Sequence, residues 1–312
     1  MMYLATCEFG KESVVGSRIA DDLFHLGAAY RYWFGEDAPV WMKDMRSLLE
    51  GGQTAIDRVR KLDDKIKTTL SASGGREALV KRGIVHRLGN VRLAAPILNP
   101  GKIICVGLNY KDHCLEQEKP MPTSPILFSK FSSAITGPEE PIIRPQATTR
   151  LDFEGELAFV VGKRGKHISV NEAMEYVVGY TVFNDVSARD LQFSDGQWLR
   201  GKTFDTFAPT GPFLVTKETV ENPHDLRIEV RVNGRTMQSS STQNMIFDIP
   251  YLVHFISGVV TLSPGDLVAT GTPAGVGVFR KPPVFLKGGD EVTVEIEKLG
   301  TLRNTVVDED TG

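Results

Sequence analysis

Leu151-Asp152-Phe153-Glu154-Gly155-Glu156-Leu157-Ala158-Phe159-Val160-Val161 reads as a β-strand. Alternate side chains of a strand share a face, so Leu151, Phe153, Leu157, Phe159 and Val161 form an apolar stripe that belongs against a core. The even positions put Asp152, Glu154 and Glu156 in a row on the opposite face. Like charges in such a row repel, and burying them without partners is costly. Gly155 contributes nothing to packing and signals a close backbone approach or a bend. Two explanations of the row stand side by side. A divalent cation lies over the face, or Arg and Lys from a neighbouring strand pair with solvated glutamates. Spacing alone leaves both open.

The pattern around this strand is rich in β-structure. Lys102–Gly107 and Tyr180–Asp185 have the apolar character of buried strands, and Val292, Val294 and Ile296 alternate with polar residues. Arg227–Val232 and Arg235–Ser239 flank Asn233-Gly234, the dipeptide that supplies the positive φ angles of a two-residue hairpin turn. Helices are expected over Val170–Val178 and over Ile249–Val259, where Pro250 fits the first turn. Many short strands with few helices predict an α+β, mostly β chain, built as a barrel or rolled sheet rather than a doubly wound layer. Residues 1–80 read separately: strands near Met2–Phe9 and Ser13–Ile19, then helical stretches over Val40–Leu49 and Thr54–Thr69. Ser71-Ala72-Ser73-Gly74-Gly75 looks like a linker. The expected division is a small α+β N-terminal domain over 1–80, a linker and entering strand over 81–98, and a catalytic domain over 99–312.

Composition narrows the function classes. The 312 residues carry a formal charge of -3, which gives no electrostatic reason to expect nucleic acid or an anionic membrane as partner. Three cysteines without a CxxC pair argue against a disulfide framework and fit a reducing compartment. No run approaches the roughly 18 apolar residues of a membrane span. The expectation is a cytoplasmic protein, or an organellar one if a transit peptide has been removed. Gly271-Thr272-Pro273-Ala274-Gly275-Val276-Gly277 lacks the Lys-Ser/Thr ending of a phosphate loop, so a nucleotide site is not expected.

Several residue types could carry chemistry. Asp185, near a strand end, offers a third carboxylate beside Glu154 and Glu156. Three carboxylates without His or Cys describe a hard, oxygen-donor site for Mg²⁺ or Mn²⁺, with Ca²⁺ the runner-up. His113 and Glu116 are three apart and would share one helix face, where a carboxylate fixes the imidazole tautomer and raises its basicity. An ordinary surface pair is the competing reading. Cys114, next to His113, points elsewhere on a helix and is not expected to be a nucleophile. Lys202 follows Gly201 and could steady an enolate or a carboxylate, or be a solvated loop lysine. Thr270-Gly271-Thr272-Pro273 is a tight turn able to bind a carboxylate, or merely to close two strands.

Taken in order, these segments resemble one family. Val106-Gly107-Leu108-Asn109-Tyr110 with His113 and Glu116, Asp152-Phe153-Glu154-Gly155-Glu156-Leu157, Asn184-Asp185-Val186-Ser187-Ala188-Arg189-Asp190, Gly201-Lys202-Thr203-Phe204-Asp205 and Thr270 to Gly277 together resemble the fumarylacetoacetate hydrolase family, over about Pro100 to Val306. The resemblance implies a distorted β-roll of mixed strands, a homodimer, and a small 2-oxo acid as substrate. It implies Mg²⁺ or Mn²⁺ on Glu154, Glu156 and Asp185, and a water-activating His113–Glu116 pair on a lid that orders with substrate. Lys202 would face developing negative charge, with Gln192 and Thr272 on substrate oxygens. Leu108 stands where some acylpyruvate-cleaving relatives carry a basic residue. The first expected activity is hydrolysis of the C3–C4 bond in acylpyruvate-like 2,4-dioxo acids, leaving a pyruvate enolate steadied by the cation and Lys202. The alternatives are oxaloacetate decarboxylation or tautomerisation on the same enolate chemistry, and a non-catalytic binding protein that keeps the fold.

Overall fold

The computed structural model describes residues 2–10 and 12–310. Among these, the strands form a twelve-stranded sheet, a five-stranded sheet and a two-stranded ribbon. The middle of the large sheet runs Tyr3–Phe9, Ala208–Thr216, Val177–Asn184, Gly155–Val161, Leu267–Ala269, Ile103–Gly107, Ile126–Lys130. Most pairs are antiparallel, but Ile103–Gly107 runs parallel to Leu267–Ala269, and Ile142–Arg144 parallel to Gly300–Asp308. The strand path stays open at Val85–Arg87 and at Ile126–Lys130, so the fold is an α+β, mixed-strand distorted roll and not a closed barrel.

The N-terminal strands continue the same sheet. Tyr3 and Leu4 pair with Val215 and Leu214, while Glu12–Ile19, Asp22–His25 and Val85–Arg87 extend outward from Tyr3–Phe9. Ser71–Gly74 is a turn between the helices Gly52–Leu70 and Gly75–Val80. The chain then returns twice to the N-terminal strands, through Val85–Arg87 and Arg92–Ala94.

Two cores use the two faces of the large sheet. Leu151, Phe153, Leu157, Phe159 and Val161, the apolar stripe of the opening stretch, pack with Ile228, Val230, Val294 and Leu302 of the five-stranded sheet. Val160, Leu214 and Leu267 face the other way, against Leu48, Val59, Leu62 and Ile66 of the N-terminal helices. Fully burying each such side chain stabilises the fold by about 1.5–3 kcal/mol.

Local chemistry explains most element boundaries. Asn233 and Gly234 have φ of 50° and 76°, the geometry the hairpin turn requires. Asp248 caps Ile249–Val259 by accepting from the Tyr251 N–H. The helix expected over Val170–Val178 is only a 3₁₀ segment, Val170–Glu175. Val177 and Val178 instead open the Val177–Asn184 strand, where their β-branched neighbours favour extended backbone.

Gly155 lies where the glutamate strand packs tightly against the five-stranded sheet. A Cβ there would lie 2.3 Å from Val230 Cγ2 and 3.0 Å from Val294 Cγ1. Gly155→Ala is therefore expected to destabilise the protein by about 1–3 kcal/mol through overpacking. Gly258→Ala, in a helix where an added Cβ meets nothing within 4 Å, should stabilise it by up to about 1 kcal/mol. Urea unfolding of the two variants checks the contrast, and equal effects would remove the packing explanation.

Candidate active site

The sheet topology gathers the site. Gly155 pairs with Asn184, and Ala158 with Ala269, so the start of one strand meets the ends of its two neighbours. Ala269 also lies beside Cys105 in parallel register, which brings the end of Ile103–Gly107 to the same edge. Glu154, Glu156, Asp185, the Thr270–Thr272 turn and the segment leading to His113 thus converge. Asn109 joins them: its side-chain amide donates to the Thr270 and Phe247 carbonyls at 2.8 and 3.0 Å, and its oxygen accepts from the Phe247 N–H at 2.8 Å.

Glu154, Glu156 and Asp185 are all buried, and one oxygen from each lies within 4.8 Å of the others. Asp152 does not join them, although it is two residues from Glu154. The strand breaks after Asp152, and that carboxylate turns to Arg189 Nε at 2.8 Å and to the Gly277 and Val278 N–H groups. The row of three expected from strand alternation is therefore two glutamates plus Asp185. Pairing with Arg and Lys is also real, but buried rather than solvated. Glu154 meets Arg189 Nη2 at 2.6 Å and Lys202 Nζ at 2.7 Å. Asp185 meets Lys202 at 2.8 Å and Lys130 at 2.7 Å.

Lys202 sits on the short helix Trp198–Lys202 and is 2% exposed, which overturns the solvated-loop reading. Its ammonium lies 5.2 Å from the centre of the Phe128 ring. Burial opposes its charge, but Asp185 and Glu154 outweigh this and leave its pKa raised. Lys130 and Arg189 were not singled out in the sequence. Lys130 Nζ also donates to the carbonyls of Val186, Phe207 and Lys202, fixing the segments that carry Asp185 and Lys202. A lysine ending the apolar strand Ile126–Lys130 was the available signal.

Four buried carboxylates, counting Asp152, thus face three buried cations. The imbalance falls on Glu156. Burial, then Asp185 and Glu154, push its carboxyl well above the usual range, against a 2.8 Å hydrogen bond from the Gly271 N–H. At Glu154, burial acts upward, but Arg189 and Lys202 prevail and hold the carboxyl well below that range. An all-oxygen donor set in which one carboxylate has no cationic partner of its own fits a hard divalent cation.

His113 and Glu116 lie on the helix Lys111–Glu116 with His113 buried, not as a solvent-exposed pair. Glu116 Oε2 is 3.1 Å from Nδ1, and Glu116 Oε1 accepts from the Gly275 N–H at 2.9 Å. Asp112 on the same helix accepts from Ser240 Oγ at 2.6 Å. A carboxylate at Nδ1 places the imidazole proton there and leaves Nε2 with its lone pair. The Gln117 side-chain nitrogen is 2.8 Å from Nε2. Cys114 Sγ faces the Leu108 carbonyl at 3.5 Å, and burial raises its thiol pKa, which does not suit a nucleophile.

His113, Gln117, Glu154, Glu156, Lys202 and Thr272 line one pocket, closed on its sides by Phe128, Trp198 and Phe279. Its free volume is about 50 Å³, small beside the about 300–1,000 Å³ of most ligand clefts. Gln192 is in the lining, with Oε1 accepting from Arg189 Nη1 at 2.9 Å. Thr272 Oγ1 donates to the Gly155 carbonyl and accepts from Gln238 Nε2, at 2.9 and 2.8 Å. Gln238 is a further residue the sequence did not reveal. Its Oε1 accepts from the Gly155 N–H at 2.9 Å, binding the glutamate strand to the Thr272 turn.

A family profile described as fumarylacetoacetate (FAA) hydrolase C-terminal matches residues 102–307, a span that contains every one of these groups. The chain belongs to the fumarylacetoacetate hydrolase family. Among relatives in this family, oxaloacetate tautomerase fahd2, mitochondrial, of Xenopus laevis is 51% identical over 84% of this chain and 78% of its own length. The human oxaloacetate tautomerase FAHD2A, mitochondrial, is 49% identical over 86% of this chain and 81% of its own length. A solved fumarylacetoacetate hydrolase from Exiguobacterium antarcticum superposes with a TM-score of 0.80 at 35% identity, over 99% of this chain and 100% of that one. No helix among the described residues is long and apolar enough to cross a membrane.

The raised pKa of Glu156 has a signed consequence. Its proton is retained in the folded chain where the unfolded chain has already released it. Metal-free stability should therefore fall as pH rises above the ordinary glutamate range, by at most about 1.4 kcal/mol per pH unit, until the folded group ionises. Glu156→Gln should flatten this slope and raise the neutral-pH Tm in chelator, while reducing the Tm gain from added Mg²⁺ or Mn²⁺. Thermal melts at several pH values check this, and an unchanged slope in the variant would refute it.

Proposed function

We propose that this chain interconverts the enol and keto forms of a 2-oxo diacid of the oxaloacetate type. The observation that carries the reading is one pocket lined by Glu154, Glu156 and His113, with Asp185 beside the two glutamates and Glu116 on the imidazole Nδ1. Relatives about half identical over most of their length are named oxaloacetate tautomerases, which supports it.

Glu154, Glu156 and Asp185 would hold Mg²⁺ or Mn²⁺, which when bound supplies Lewis acidity to the carboxylate and 2-oxo oxygens of the substrate. The protein's own groups do the rest. His113 Nε2 accepts a proton from C3, and Glu116 stabilises the resulting imidazolium through Nδ1–H. Lys202 and Arg189 keep positive charge beside the oxygen on which negative charge builds, already oriented by Glu154, Asp185 and Asp152. The Gln192 amide and Thr272 contact substrate oxygens. Return of the proton from His113 to the enolate oxygen gives the enol, and its return to C3 gives the keto form. Neither direction consumes water.

Hydrolysis of 2,4-dioxo acids, the activity the sequence put first, would use the same groups with a water added at the 4-carbonyl. Decarboxylation of oxaloacetate would reach the same enolate without water. The names of the relatives weigh toward tautomerisation. The family resemblance also supports a homodimer, which light scattering on the purified chain tests.

Stopped-flow loss of enol absorbance from oxaloacetate, with Mg²⁺ or Mn²⁺ and with chelator, tests the proposal. Acceleration that chelator abolishes is expected. Lys202→Ala should lower the rate by about 10² to 10³. Faster cleavage of acetylpyruvate than tautomerisation of oxaloacetate would favour the hydrolase instead, and wild-type turnover by Lys202→Ala would end the role given to that lysine.

A further inference from the structure

Gln117 has no part in the proton transfer just described, yet it holds the atom on which that transfer depends. It is four residues beyond His113, so its side chain returns to the same side of the helix. Its carboxamide nitrogen is 2.8 Å from Nε2, at the place a hydrogen-bonded water would occupy. The other edges of the imidazole are also taken. Glu116 is on Nδ1, and the Phe279 ring lies 6.0 Å away centroid to centroid at 60°. A water donating to the Nε2 lone pair would stand where the Gln117 carboxamide nitrogen now is, so the two compete for that one place.

The two chemistries open to this site differ on this point. Tautomerisation needs Nε2 to meet only the substrate's C3 hydrogen. Hydrolysis needs a water held by Nε2 within reach of the 4-carbonyl. We propose that Gln117 is a specificity-determining residue that excludes this water and so directs the enolate site to tautomerisation. The inference rests on the functional reading above. A single neutral hydrogen bond holds the amide on Nε2, worth about 0.5–1.5 kcal/mol, so arriving substrate can displace it. Once displaced, the carboxamide would remain tethered beside the imidazole, one helical turn from His113.

Shortening the side chain should therefore release a latent hydrolase. In Gln117→Ala, water on Nε2 gives a proton to His113 while its oxygen bonds to C4 of a 2,4-dioxo acid. The C3–C4 bond breaks, its electron pair stays on C3 as pyruvate enolate, and that carbon takes up a proton. For acetylpyruvate and one water the products are acetate and pyruvate.

The test compares the 312-residue wild type, Gln117→Ala and Gln117→Leu, each with Mg²⁺. Oxaloacetate tautomerisation and pyruvate release from acetylpyruvate are measured on the same preparations, and the result read is the ratio of the two kcat/KM values. Gln117→Ala is expected to shift that ratio toward hydrolysis by tenfold or more. Gln117→Leu cannot donate to Nε2 but keeps the bulk, and should leave the ratio within about threefold of wild type. General loss of structure would lower both activities together and would not move the ratio in this way. A wild type that tautomerises oxaloacetate, with no shift in Gln117→Ala, overturns this inference alone. A shift as large in Gln117→Leu overturns the exclusion of water as its cause. A wild type acting on neither substrate overturns the functional reading, and this inference with it.

Discussion

A string of buried charges holds the centre of this molecule together. It runs from Asp152 to Arg189, Glu154, Lys202, Asp185 and Lys130, with each neighbouring pair in the string 2.6–2.8 Å apart. Lys130 ends it on the carbonyls of Val186, Lys202 and Phe207. Losing one member of such a pair leaves an unpaired charge away from water, at a cost of about 3–5 kcal/mol. The members come from separate stretches of chain, so the electrostatics require several loops to close in one arrangement. Of the four carboxylates in this cluster, Glu156 is the one without a cationic partner among the described residues.

The backbone makes this possible by bringing strand ends together. Parallel pairing of Ile103–Gly107 with Leu267–Ala269, set within antiparallel neighbours, places three strand ends and one strand start at a common edge. Gly155 lets the five-stranded sheet press against the glutamate strand from behind. Gln238, from that second sheet, then reaches the Gly155 N–H and the Thr272 hydroxyl together. Packing of the two sheets and placement of the site residues are one arrangement.

Much of this was legible in the chain because it is local. Strand alternation placed Leu157, Phe159 and Val161 in the core, the Asn233-Gly234 turn marked the hairpin, and the three-residue spacing of His113 and Glu116 indicated their contact. The place of Asp185 near a strand end offered it as a companion to the two glutamates, and the resemblance of ordered motifs agreed. The parts not legible are non-local or depend on a backbone break. Asp152 follows strand alternation in sequence but leaves it in space, because its partner Arg189 is 37 residues away. Lys130 looked like an ordinary lysine, and for Lys202 a solvated loop position stayed open, because burial is set by elements that spacing cannot bring together. Gln238 reaches Gly155 across 83 residues, and nothing near either of them in the chain announces the contact.

The helix carrying His113 is fastened to the rest of the molecule by few bonds. Beyond the anchor at Asn109, its side-chain ties are Glu116 to the Gly275 N–H and Asp112 to the Ser240 hydroxyl. Each is a hydrogen bond to a carboxylate, worth about 1.5–3 kcal/mol, so releasing both costs about 3–6 kcal/mol. The two bonds come from the Gly275 turn and from the strand that carries Ser240, so a shift of either element would carry His113 with it.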